Sequence, residues 1–214
     1  MATRLYLPSV VSTTAISPTP SASWEVTTGF VRIPLWAEQT GTAMSTVSFA
    51  DNNAANRDCM IVQFVSKFPL SAGQTVTGSQ AIKAQFRALQ VALTNNLFLT
   101  IGIRIIASDG STVRKTMVDV GRDDAEAATT LTNCQWTATS AATNYTVLFG
   151  DYLVVELGMG GDPDVGSDHD SSIRIGDSAA SDLPEDTSTT TDLNPWVELT
   201  DTLRFDDLMP QASF

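Results

Sequence analysis

The sequence predicts an all-β protein: a two-layer antiparallel β-sandwich of jelly-roll-like form, preceded by an extended N-terminal arm. Three observations predict it. Short runs rich in β-branched and aromatic residues recur between clusters of turn residues, and they add up to about eight strands of ordinary length. The pair Asp109-Gly110 joins two such runs as a tight hairpin. No fixed repeat period runs along the chain, which disfavours solenoids and propellers.

Residues 1–23 carry Pro8, Pro18 and Pro20 among Ser and Thr, a composition that favours an extended segment. The segment reads either as a disordered leader or as an arm along a neighbouring subunit; Leu5, Tyr6, Leu7, Val10 and Val11 give it apolar groups, and the expectation is that it docks through them. The sandwich is expected over residues 24–206, with a C-terminal tail at 207–214. Within it, residues 24–36 alternate unevenly and Pro34 marks an edge strand or strand end. Residues 59–67 (CMIVQFVSK) read as a buried strand.

Residues 82–93 fit two periods, because Ile82, Phe86, Leu89 and Leu93 fall at helical spacing while Ile82, Ala84, Phe86 and Ala88 alternate with long polar residues. The hairpin-rich context decides for a strand. The hairpin runs from residues 97–107 (LFLTIGIRIIA) through Ser108-Asp109-Gly110-Ser111 into residues 112–120 (TVRKTMVDV), and Gly102 marks a bulge or a close backbone approach. Residues 123–130 (DDAEAATT) suit one short helical turn. Further strands are expected at 145–149, 152–157, 171–175 and 196–205.

A formal charge of -12 argues against a nucleic-acid backbone as partner, since that affinity comes from Lys and Arg displacing counterions. It would keep many copies soluble and mutually repelling until a specific contact forms. Cys59 and Cys134 lack CxxC spacing and a histidine cluster, so two free buried thiols are expected; a disulfide would need neighbouring strands. Neither a secretory signal nor a membrane-spanning run is visible, so a soluble protein is expected.

Chemistry-bearing residues are sparse. Asp162, Asp164, Asp168 and Asp170 in GGDPDVGSDHD are dense enough in oxygen to hold calcium, although their spacing is not that of an EF-hand, and a solvated acidic loop is the plainer alternative. His169 lies among them without the elbow motif of a serine hydrolase. Gly158-Met159-Gly160-Gly161 lacks the spacing of a phosphate-binding loop, and adjacent carboxylates such as Glu185-Asp186 do not make a glycosidase pair. No catalytic residue is assigned and no cofactor beyond calcium is implied. Trp36 and Trp136, flanked by polar residues or Pro, are the candidate exposed aromatics for stacking on a sugar ring.

The segments MATRLYLPS, Trp24-Glu25 with Val31-Arg32, SDGSTVR, Val154-Val155-Glu156-Leu157-Gly158 and IGDSAASDLPEDTSTTTDLNPWVEL resemble a group of virion structural proteins of tailed bacteriophages and prophages. The resemblance implies a non-enzymatic role and brings no catalytic residues. An acidic sandwich with an arm suits an external capsid decoration, or cement, protein that bridges major capsid subunits on the head exterior after assembly in the host cytoplasm, as a homo-oligomer such as a trimer. The alternative is a polysaccharide-binding module of a head spike or tail fibre; a tail-tube or connector component is the third class.

Overall fold

The computed structural model describes residues 2–10, 12–39, 41–53, 55–161 and 168–206. Val11, Asp162, Asp164 and the tail at 207–214 lie outside the described residues. The described residues form thirteen strands: β1 Thr3–Tyr6, β2 Val31–Leu35, β3 Ser45–Phe49, β4 Arg57–Ser66, β5 Thr75–Val76, β6 Ala81–Gln90, β7 Leu97–Ile106, β8 Val113–Glu126, β9 Thr132–Thr139, β10 Tyr145–Thr146, β11 Tyr152–Gly161, β12 Ser171–Ile175 and β13 Trp196–Leu199. A single 3-10 turn, Leu93–Asn95, is the helical element among the described residues. The protein is all-β, as the sequence predicts.

Two sheets form the layers. In the first, β6 pairs with β9 along one side and, along the other, with β13 and then β12, which carry β1 and β3 respectively. The second has the order β2-β4-β11-β7-β8, while β5 and β10 pair separately. The chain passes from sheet to sheet at most connections, as in a jelly roll. Between these strands pairing is antiparallel except for β2 and β4, which run parallel, and the isolated bridge of Val26 to Cys59 is parallel too. The antiparallel sandwich thus carries one parallel strand pair: after β2 the chain crosses to the other layer as β3 and returns, so β4 enters in the same direction as β2. Pro34 sits in β2 at the sheet edge, where its missing N–H costs no ladder bond.

Alternation fills the space between the layers. Val62 and Phe64 of β4, Ile101, Ile103 and Ile105 of β7, and Leu153, Val155 and Leu157 of β11 face Ile82, Ala84 and Phe86 of β6 with Ile173, Val197 and Leu199. Residues 82–90 are strand, so the period-two reading wins over the helical one. Residues 123–126, expected as a helical turn, instead continue β8 against β7, with Arg122 opposite Thr100 and Glu126 opposite Phe98. Ladder pairing overrides the helix preference of Ala and Glu. The register of that pair slips between Ile101 and Ile103, where Asp119 and Val120 of β8 bulge opposite Gly102; a Cβ at Gly102 would lie 3.2 Å from Val120 Cγ2, so the glycine marks the predicted close approach.

The N-terminal segment is the largest departure from expectation. Thr3–Tyr6 is a strand of the first sheet, with Leu5 opposite Val197, and Leu5 and Leu7 are fully buried in the core of their own chain. Tyr6 and Trp36 exchange backbone hydrogen bonds of 2.7 and 3.1 Å, tying β1 to the end of β2 and so one sheet to the other. Farther on, residues 14–26 lie across the outer face of the second sheet. Ile16 covers Val65, Ile106 and Val154 there. The expected docking of an arm on a neighbour through Leu5 and Leu7 is therefore corrected, because their alternation with Arg4 and Tyr6 belongs to a strand; of the described members of the set, Val10 is exposed.

That outer face also holds a buried polar stripe. Glu156 is fully buried and accepts hydrogen bonds from Trp24 Nε1 (3.0 Å), Gln63 Nε2 (2.9 Å) and the Ser21 amide (3.2 Å), and it pairs with Arg104. Arg104 also donates to the Thr19 carbonyl and Arg32 to the Pro18 carbonyl, so the overlying segment is held by its backbone. Next to the stripe, a Cβ at Gly158 would lie 2.0 Å from the Cys59 carbonyl and 2.8 Å from the Trp24 ring, and only glycine permits that approach.

The acidic, Thr-rich connection before β13 is ordered by Asp186, whose carboxylate accepts from the Thr189 amide (2.9 Å), the Thr189 hydroxyl (2.8 Å) and the Ser188 amide (3.0 Å). These bonds hold its carboxyl down at about 2. Because the folded value lies below the roughly 3.9 of an unfolded Asp, this support is complete above that value and is lost as pH falls towards 2. The protection of the Thr189 amide, its exchange rate compared with that of an unstructured peptide at the same pH, is expected to hold at pH 5 and to be lost between about pH 4 and 2.

Candidate functional site

Apart from Val10 and Met44, the exposed large apolar side chains among the described residues gather near the two ends of β7. Between β10 and β11 the chain turns through Leu148, Phe149 and Gly150, and Phe149 is 86% exposed. The turn is rigidly built. Asp151 is fully buried and accepts from the Leu148 amide (2.8 Å) and the Tyr145 hydroxyl (2.5 Å), while its backbone carbonyl accepts from Leu70. Burial, reinforced by this bond, pushes the Tyr145 phenol up to about 12, so it remains a donor. Gly150 takes φ +79° against Ser108 of the β7–β8 hairpin, and Arg114 reaches Asp151 at 3.4 Å beside the exposed Val113.

At the opposite end of β7, the link from β6 exposes Val91 (60%) and Leu93 (67%). It is braced as well. The buried Asn95 donates to Asp168 Oδ1 (3.1 Å) and the Asp170 carbonyl (3.2 Å), and the Val91 amide donates to the same carbonyl (2.9 Å). Two of the four predicted calcium ligands, Asp168 and Asp170, thus sit half-buried under a turn; Asp162 and Asp164 are outside the described residues.

The predicted aromatic platform does not form. Trp136 is 2% exposed, facing inward from β9 with its Nε1 donating to the Gly121 carbonyl, which corrects its assignment as a surface residue. Strand alternation turns it to the core despite polar neighbours on either side. Trp36 is half-buried and lines a cleft of about 400 Å³ with Leu35, Lys67, Phe68 and Phe205. Lys67 Nζ lies 3.6 Å from its ring centroid, so the Trp36 face already has a cation on it.

His169, read from the sequence as a loop residue, is fully buried. Its ring lies close to Cys59 and Asp51. Both thiols are free, and β4 and β9, which carry them, are not neighbours in either sheet. Burial pushes Cys59 up to about 12 and Cys134 up to about 11, far from a nucleophilic thiolate at neutral pH.

The sequence matches no protein-family model and no curated protein. Among solved structures it is similar to a CocE/NonD family hydrolase from Staphylococcus aureus (10% identity, TM-score 0.46, 94% of this chain and 36% of that one). It is also similar to an α-amino acid ester hydrolase (8%, 0.45, 95% and 36%) and to VP2 of an infectious bursal disease virus subviral particle (9%, 0.32, 76% and 37%). The chain spans little more than a third of each. Likeness at this level assigns no activity.

Proposed function

We propose that this chain is a non-enzymatic structural protein of a phage particle, an external capsid decoration that bridges neighbouring capsid subunits. The observation that carries the proposal is the placement of apolar exposure at opposite ends of β7, a strand of ten residues that spans roughly 30 Å. Phe149 and Leu148 stand at one end, Val91 and Leu93 at the other, each on a turn fixed by buried Asp or Asn side chains. A pre-ordered apolar tip loses little entropy on docking. Two such tips on a stiff body connect two partners, and the acidic surface keeps free copies apart.

The bridging contact is therefore assigned to the turns, since residues 3–7 belong to the sandwich core. Phe149→Ser and Leu93→Ser are each expected to reduce occupancy on purified particles at least tenfold while leaving the melting temperature of the free protein nearly unchanged. Unaltered occupancy in the double variant, measured by co-sedimentation, would remove the bridging assignment; failure of wild type to co-sediment would remove the capsid partner itself.

A further inference from the structure

The described residues bring together three groups that no spacing in the sequence connects: a ring nitrogen of His169, Sγ of Cys59 and a carboxylate oxygen of Asp51, all within 4.8 Å of one another. Asp51 follows β3, Cys59 lies in β4 of the opposite sheet, and His169 precedes β12. Long-range pairing of β3 with β12, in which Phe49 is opposite Ser171, sets Asp51 and His169 side by side, and the His169 amide donates to the Asp51 carbonyl at 3.1 Å.

The polar atoms there are incompletely satisfied. His169 Nδ1 lies 2.9 Å from the Asn53 carbonyl and 3.9 Å from Asp51 Oδ2. A carbonyl only accepts, so Nδ1 carries the proton and the lone pair stands on Nε2, which is buried without a partner. Asp51 Oδ2 is 3.2 Å from Arg57 Nη1, an ion pair whose alignment makes no hydrogen bond. An imidazole oriented by a backbone carbonyl, with its other nitrogen bare, is how metal-binding histidines are held.

We propose that the His169 imidazole, Cys59 Sγ and Asp51 bind a divalent transition metal of the zinc class. Thiolate and imidazole favour zinc over calcium, and three protein ligands leave the fourth tetrahedral position to water. Bonds of about 2.0–2.3 Å place tetrahedral ligands roughly 3.3–3.8 Å apart, so the three groups close by about 1 Å through side-chain torsions. Binding releases the Cys59 proton to solvent and leaves Arg57 as a neighbour of the outer carboxylate oxygen. Because the ligands come from both layers, the ion clamps the sandwich near the β3–β12 edge. This assignment stands apart from any capsid partner.

The test uses the full chain stripped with a chelator and titrated with Co²⁺, then Zn²⁺. One Co²⁺ per chain is expected to give a thiolate-to-cobalt charge-transfer band that Zn²⁺ abolishes, and Zn²⁺ but not Ca²⁺ is expected to raise the melting temperature by several degrees. Cys59→Ser should lose the band, Asp51→Asn should weaken Zn²⁺ binding at least tenfold, and Cys134→Ser should change neither. A wild-type chain with no band and no Zn²⁺-dependent melting shift would overturn the site, as would a band that survives Cys59→Ser and vanishes in Cys134→Ser.

Discussion

Glu156→Ala is expected to destabilise the protein by about 3–5 kcal/mol, the range found when one partner of a buried ion pair is removed. For a domain of this size that lowers the melting temperature by on the order of 10 °C. The pair qualifies as buried on both sides, since the Arg104 side chain is 6% exposed and that of Glu156 is 0% exposed. Removing the carboxylate strands the Arg104 charge and leaves Trp24 Nε1, Gln63 Nε2 and the Ser21 amide without their acceptor. Loss of several partners at once makes this site costlier than any single hydrogen bond.

The loss is directional, and that makes the prediction specific. Glu156 is the point where residues 18–24 attach to the outer face of the second sheet, so its removal should release that segment before the core opens. Amide exchange at Ser21 is expected to accelerate in Glu156→Ala far more than exchange at Phe64 or Val155 in the core. Replacing Glu156 and Arg104 together by Gln and Met should recover part of the stability, because no charge is then left buried. An unchanged melt in the single variant, with Ser21 still protected, would mean that Ile16 and Trp24 hold the segment by packing alone. Lys83→Ala is the internal control: its pair with Glu185 is 41% exposed on both sides, and screening by solvent leaves the melt where it was.

Much of the sandwich was legible because its signal is local. Residues 57–66, 81–90 and 97–106 carry enough β-branched and aromatic residues in the right period to announce strands, and Asp109-Gly110 announces its turn. The observed turn adds a reason for Asp109: its carboxylate accepts from the Ser111 and Thr112 amides, both at 2.8 Å. What failed depended on partners distant in sequence. Residues 123–126 extend β8 only because β7 offers a ladder, and Thr3–Tyr6 is a strand only because β13 waits almost two hundred residues later. Leu5 and Leu7 did carry a usable signal, since an apolar pair two apart reads as one face of a strand. Trp136 carried the same signal, being alternate with Cys134 and Ala138 on β9.

The candidate sites were less legible for a related reason. Phe149 is notable because an apolar ring occupies a turn, and the neighbouring Gly150-Asp151 marked the turn without identifying the ring as its exposed tip. The cluster of Asp51, Cys59 and His169 has no sequence signature at all, because its members lie on three segments brought together by sheet closure. His169 sits in a run of acidic residues that suggests solvent, yet the Asn53 carbonyl, which faces its ring, and the Asp51 carbonyl, which accepts from its amide, draw it inside. Local composition sets whether a residue prefers water; tertiary hydrogen bonds decided otherwise here.

Removal of residues 1–9 is expected to unfold the protein outright, the largest effect that follows from this architecture. Leu5 and Leu7 are each 1% exposed, and truncating a buried leucine costs about 2–5 kcal/mol, so losing both approaches the 5–15 kcal/mol that stabilises an ordinary domain. The same cut deletes β1, uncovers β13, and breaks the bonds of Thr3 Oγ1 with the Asp201 carbonyl and the Leu203 amide. It also removes Arg4 from the Trp196 ring, 3.9 Å away, and from its pairs with Asp182 and Glu198. The Leu5→Ala/Leu7→Ala double variant separates core loss from strand loss, since its backbone can still pair with β13; it is expected to remain folded only at low temperature. The opposing result is equally concrete. A truncated chain that melts like wild type and fails only to attach to particles would return residues 1–9 to the role of an arm reaching to a neighbour, and the apolar turns at Phe149 and Leu93 would then lose their place as the bridging contacts.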